Sequence, residues 1–159
     1  MKKPATLCRA VVLTSIGVLA IAGCGTMQSG SMPADKAIAE RQELMKRQGA
    51  AMRSISGKLK GGNVQAVASD ADVLIQTSKQ IPALFPAGST SPTSRAKPEI
   101  WQQWAQFEKY AATLETEATK LRAAAQANDA SGAQAAVAGI GKPSCGGCHT
   151  AFRGPEIKK

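Results

Sequence analysis

Along most of this chain apolar residues return every third or fourth position, and nowhere do they alternate singly with polar ones, so the pattern predicts helices and no strands. A first helix over about 34–59 places Ile38, Arg41, Met45, Gln48, Met52, Ile55 and Leu59 on one face, and "KGGN" stops it. A second, over about 63–80, carries Val64, Val67, Ala71, Leu74 and Ser78, with Asn63 available as N-cap. The connection "IPALFPAGSTSPTSRAKP" holds prolines at 82, 86, 92 and 98 and is not helical throughout. The third helix starts near Pro98, with Glu99 at the positive end of its dipole, and runs to about 127. Its stripe is Ile100, Trp104, Phe107, Ala111, Leu114, Ala118, Leu121 and Ala125. Asp129 or Ser131 caps a fourth stretch that reaches the cysteines. Within it "GIGKP" (139–143) predicts a kink or short break with the helix restarting at Pro143, because Pro143 lacks a donor and disfavours helical geometry at Lys142.

Narrow stripes and mostly short connections are the pattern of an all-α, antiparallel four-helix bundle with one core, here over 34–159. A chain of 159 residues suits one such domain. Its beginning reads as a precursor: Lys2, Lys3 and Arg9 precede the apolar "AVVLTSIGVLAIAG", which is too short for a comfortable membrane span. Residues 1–23 are therefore expected to be an export signal. The end of that segment, "LAIAGC", is similar to a bacterial lipoprotein lipobox, which makes Cys24 the lipid-bearing N-terminus of the mature chain and 24–33 a polar tether. Acyl chains contribute about 0.8 kcal/mol per buried methylene, so several hold a protein on a membrane without a spanning helix. The expected location is the periplasmic side of a bacterial membrane.

Charge changes the picture little. Removing Lys2, Lys3 and Arg9 from the 20 basic residues leaves 17 against 11 acidic ones, a net charge of +6. A nucleic-acid surface wants a dense basic stripe with interleaved aromatics, whereas these charges are scattered over helix faces and aromatics make up 4% of the chain. No nucleic-acid partner is expected.

Cysteine usage concentrates the chemistry. Cys8 leaves with the signal and Cys24 is acylated, so Cys145 and Cys148 are the thiols that remain in the folded domain, directly followed by the chain's one histidine, His149. On a helix, residues three apart share a face, so both thiols reach the edge of a flat macrocycle, add to its two vinyl groups, and bring His149 against the ring to bind iron. Zinc would need a fourth ligand from a carboxylate. A redox dithiol normally opens a helix after a strand, and no strand is predicted. A disulfide across so short a loop gains little entropy. One covalent c-type haem is the favoured reading.

With these elements placed, the chain resembles the class II c-type cytochromes, that is, the cytochrome c prime family and its low-spin, methionine-ligated relatives. The likeness spans roughly 34–157 and rests on "CGGCHTAFR" near the C-terminus, "RQELM" (41–45) and "KPEIWQQWAQF" (97–107). The resemblance implies that His149 is the proximal iron ligand, that Met45 faces the iron from the opposite side, that Arg41 meets a haem propionate, and that Arg153 packs beside the proximal histidine. Arg41 at an inward position strengthens this, because a buried guanidinium without an anion costs several kcal/mol. Met45 and Arg41 are one turn apart and point the same way. Trp101, Trp104 and Phe107 are expected as core or haem packing, Met52 as core filler, and Met32 as an irrelevant part of the tether. The implied function is one-electron carriage through a His/Met-ligated low-spin haem, with redox partner proteins and no substrate turnover of its own. The alternatives are a five-coordinate, gas-binding haem and, from a different class, a haem-free dithiol oxidoreductase. Relatives often pair through their first two helices, so a homodimer is open to this chain.

Overall fold

The structure, a computed structural model, describes residues 32–157; the expected signal segment and Cys24 lie outside them. Its long elements are α1 (Ala34–Lys60), α2 (Ala68–Gln80), α4 (Trp104–Gln126) and a last rod made of α5 (Ala130–Gly139), a π-helical turn (Ile140–Gly146) and α6 (Gly147–Phe152), with the short α3 (Glu99–Gln102) ahead of α4. These four long pieces form the expected antiparallel bundle. α4 packs along both α2 and α5, and α1 packs along α2. Among the described residues there is no strand, only an isolated bridge between Ala96 and Arg153.

The third-helix stripe is the core almost residue for residue: Ile100, Phe107, Ala111, Leu114, Ala118, Leu121 and Ala125 are buried, and Trp104 is half-buried. All five positions expected for the second helix, Val64 and Val67 ahead of α2 and Ala71, Leu74 and Ser78 within it, are buried. α1 differs in detail. Leu44 and Ala51, absent from the predicted stripe, are buried, while Met45, Met52 and Leu59 pack on the core from its edge. Side chains such as Leu74, Leu121 and Phe107 each contribute about 1.5–3 kcal/mol by leaving water. Met32, expected to lie idle in the tether, also packs against this core.

Local chemistry sets the ends. α1 stops where Gly62 takes φ 76°, its N–H bonding to Leu59 O while Asn63 N–H returns to Lys58 O. α4 ends the same way on Asn128 at φ 55°, with Asn128 N–H on Ala125 O and Asp129 N–H on Ala124 O. Asp129 then caps α5 by accepting from Gly132 N at 2.9 Å. Asn63 is not the cap of the second helix: a single 3-10 turn, Gln65–Val67, leads into α2, whose N-cap position is held by Val67 without a side-chain bond.

Two expectations about continuity are corrected. The third helix is not one piece: Gln103, at φ −122° and ψ 44°, offsets α3 from α4, and just before it the Trp101 indole donates to Phe85 O at 3.0 Å. Conversely, the last helix does not break at "GIGKP" or restart at Pro143. Gly139, Ile140, Gly146 and Gly147 all keep right-handed helical backbone, and the chain widens into a π turn around Pro143. Gly147 N–H reaches back to Lys142 O, five residues away. A wider turn absorbs the missing proline donor and its ring without ending the rod, and such turns recur at functional sites.

Candidate haem site

A cavity of about 630 Å³ lies between α1 and the last rod, closed on a third side by the Pro-rich connection. From α1 it is lined by Arg41, Met45, Gln48 and Met52, from the rod by Cys145, Cys148, His149 and Phe152, and from the connection by Phe85, Ser94 and Arg95. The sequence places them there for simple reasons. The 3–4 spacing on α1 turns its inward face toward the rod, and the π turn followed by α6 carries the Cys-Gly-Gly-Cys-His run past the same opening.

Cys145 is the last residue but one of the π turn and Cys148 sits one step before His149 in α6; both thiols are free and half-buried. Burial raises the Cys145 thiol and pushes Cys148 up to about 11, the latter helped by the charge of Cys145. That is the opposite of a reactive dithiol, whose thiolate is stabilised at a helix start. Burial first, then the charges of Arg153 and Arg95, hold the His149 imidazole below its ordinary value, in the neutral form that binds metal. Among the described residues no three His, Cys, Asp or Glu side chains cluster as a metal cage.

The walls fit a flat apolar macrocycle. Phe107 meets Phe85 at 4.8 Å and Phe152 at 5.7 Å, and Trp104 lies 5.4 Å from Phe107, so the aromatic side chains are packing as expected. Cys145, Cys148 and His149 would hold such a group by two thioethers and one nitrogen, and Met45 lines the same cavity from α1. When bound, it supplies one-electron chemistry at iron.

Arg41 and Arg153 both reach this cavity, in different states. Arg153 is exposed at its edge. Arg41 is only 4% exposed, and its guanidinium is partnered by oxygens of the connection. Its Nη1 donates to Ser89 Oγ at 2.8 Å and Leu84 O at 3.4 Å, and its Nη2 to Ser89 O at 2.7 Å and Ser94 Oγ at 2.6 Å. The guanidinium also stacks 4.6 Å over Phe85. With neutral partners alone, desolvation lowers its pKa.

Three contributors escaped the sequence reading. Arg95 stands among serines and prolines with no periodicity to mark it. Gln48 was visible only as an inward position; it is buried and donates to Thr77 Oγ1 at 3.1 Å. Tyr110 lines a smaller hollow shared with Met45, Gln48 and His149, and its ring presses on the side of the rod where Gly147 has no Cβ.

A family model described as Cytochrome C′ matches residues 36–153. The chain belongs to the cytochrome c′ family. Its relatives include a cytochrome c′ of Rhodopseudomonas palustris, 33% identical over 86% of this chain and 94% of that protein, and a cytochrome c-556 of Agrobacterium tumefaciens, 32% identical over 73% and 95%. Among solved structures it is similar to cytochrome c′ from Thermochromatium tepidum, with a TM-score of 0.71, 28% identity and coverage of 79% of this chain and 99% of that one. It is also similar to the nitric oxide complex of a mutant cytochrome c prime from Alcaligenes xylosoxidans, with a TM-score of 0.69, 27% identity and coverage of 77% and 97%. A third is a cytochrome c′ with ligand-controlled dimer dissociation, with a TM-score of 0.71, 25% identity and coverage of 78% and 98%. As a family member the chain carries one covalently attached c-type haem.

Proposed function

We propose that this protein is an exported monohaem cytochrome that binds a small diatomic gas at the haem face opposite His149. The observation that carries a haem function of any kind is the meeting of Cys145, Cys148 and His149 at one cavity between the first and last helices. Gas binding is favoured by the comparisons, since two of the similar structures are nitric oxide complexes of mutants of a cytochrome c prime. The second reading, a six-coordinate low-spin electron carrier, is supported by one specific feature, the thioether of Met45 in the cavity that holds His149. Thioether is a soft ligand for haem iron, and His/Met pairing raises the potential as a carrier needs.

One experiment separates them. Purified holoprotein is examined by visible absorption in both oxidation states and titrated with carbon monoxide. Gas binding predicts a high-spin ferrous spectrum and rapid carbon monoxide uptake. Sharp split bands with no uptake, converted by Met45→Ala to the high-spin, gas-accessible form, would instead establish the carrier. A colourless protein with a redox-active Cys145–Cys148 pair would end both.

Location rests on the sequence motif alone: residues 1–23 direct export, and Cys24 carries a lipid anchor ahead of a tether that ends where α1 begins. Among the described residues no helix is long and apolar enough to cross a membrane. Cys24→Ser is expected to release the protein from membranes or leave it unprocessed; wild type found wholly soluble overturns the anchor. The ligand-controlled dimer among the similar structures supports a homodimer here, to be read by sedimentation with and without carbon monoxide. Redox partner proteins belong to the carrier reading.

A further inference from the structure

Four cationic side chains reach the cavity, Arg41, Lys46, Arg95 and Arg153, and no Asp or Glu lines it. The haem expected there brings two propionates, so the cations differ in what they have left to offer a carboxylate. Arg41 has little: both of its terminal nitrogens already serve four oxygens of the connection, at 2.6–3.4 Å. A propionate would have to displace Ser89 or Ser94. Lys46 is exposed on a long flexible stem and lies 3.3 Å from Glu43 Oε2. Arg153 is exposed.

Arg95 is different in kind. It is half-buried, and its Nε donates to Gly154 O at 2.9 Å while Gly154 N–H returns to Arg95 O at 2.7 Å. The next two residues extend the clasp. Ala96 bridges Arg153, Lys97 N–H bonds to Phe152 O at 3.0 Å, and Lys97 Nζ to Ala151 O at 2.9 Å. The backbone of Arg95 is thereby tied to the end of the helix that bears His149, and its Nε bond fixes the plane of the guanidinium. Among the described residues its two Nη groups have no hydrogen-bond partner, which leaves a preoriented fork of the shape that a carboxylate accepts in two bonds.

We propose that Arg95 is the guanidinium that takes a haem propionate, and that Arg41 is a positioning residue that fastens the connection from which Arg95 projects. This rests on the haem reading above. Arg41 reaches Leu84, Ser89 and Ser94, and Gln42 Nε2 donates to Thr93 O at 2.8 Å, so α1 holds the connection up to the residue before Arg95. A cation at the haem edge also favours the reduced, less positive iron.

The test uses holoprotein with covalent haem and compares wild type, Arg95→Gln, Arg95→Lys and Arg41→Gln. The readouts are the propionate bending mode in resonance Raman spectra, the midpoint potential, and hydrogen exchange over residues 84–94. Arg95→Gln is expected to shift the bending mode and lower the potential. Arg95→Lys is expected to restore the potential through its charge while the two-bond signature in the bending mode stays lost. Arg41→Gln is expected to speed exchange over 84–94 with the bending mode retained. An unchanged mode and potential in Arg95→Gln overturns the proposal, as does a mode that moves in Arg41→Gln alone. Should acid-acetone strip haem from the wild type, the covalent-haem reading itself falls, a result that the Arg95 variant cannot imitate.

Discussion

Two glycine-to-alanine substitutions with opposite expected signs test how the haem helix is seated. Gly147 lies in α6 between Cys145 and Cys148 with φ −61° and ψ −49°, so alanine fits its backbone and relieves the roughly 1 kcal/mol that glycine costs a helix. The methyl group has nowhere to go, however: it would stand 2.6 Å from Tyr110 Cε1, 3.2 Å from Cζ and 3.3 Å from Oη. Tyr110 projects from α4 and its ring also meets Phe152 at 6.1 Å, so it yields only by repacking, and forced overpacking costs about 1–3 kcal/mol. The two contributions leave a net loss of about 1 kcal/mol, or a melting midpoint lower by about 3–5 °C for a domain of this size. Gly57, exposed in α1 with nothing within 4 Å of an added Cβ, should gain about 0.5–1 kcal/mol from the same change. The assay is thermal unfolding of the two holoprotein variants followed by circular dichroism, with Tyr110→Ala closing a double-mutant cycle on Gly147→Ala. A Gly147→Ala protein that melts as high as Gly57→Ala, or a cycle with no coupling between 147 and 110, would refute the reasoning that Tyr110 sets the seat of the rod.

Phe107→Ala removes the ring that ties Phe85, Trp104 and Phe152 together at the cavity wall, and should cost about 3–5 kcal/mol in urea unfolding. Asp129→Ala deletes the side-chain cap on Gly132 N–H and should cost about 1 kcal/mol, with amide exchange accelerating first in α5. In chain made without haem, the Cys148 thiol is held up at about 11 from its ordinary 9.0. The folded state then keeps its proton longer than the unfolded one, so the stabilisation is whole below pH 9 and is lost between about 9 and 11. The same pH titration of holoprotein should lack that loss, because its sulfurs are thioethers.

Much of this molecule was legible one residue at a time. The stripe from Ile100 to Ala125 could be read because a helix repeats its inward face every three to four residues, and Asp129 because a capping carboxylate acts within its own turn. Cys145, Cys148 and His149 were legible as a candidate haem site for the same reason, since the spacing that the haem chemistry needs is local. What periodicity could not show was decided by contacts distant in sequence. Pro143 has the same local chemistry in either outcome, and it widens the rod without breaking it, because helical backbone continues on both sides of it and α5 and the π turn both stay packed on α4. The inward stripe identified Arg41 as buried but not its partners, and these turned out to be oxygens 43–53 residues away on the connection. Arg95 had no local mark at all. Its place beside His149 exists only because the connection folds back onto the end of the last helix, and that closure is paid for by hydrogen bonds between segments 59 residues apart.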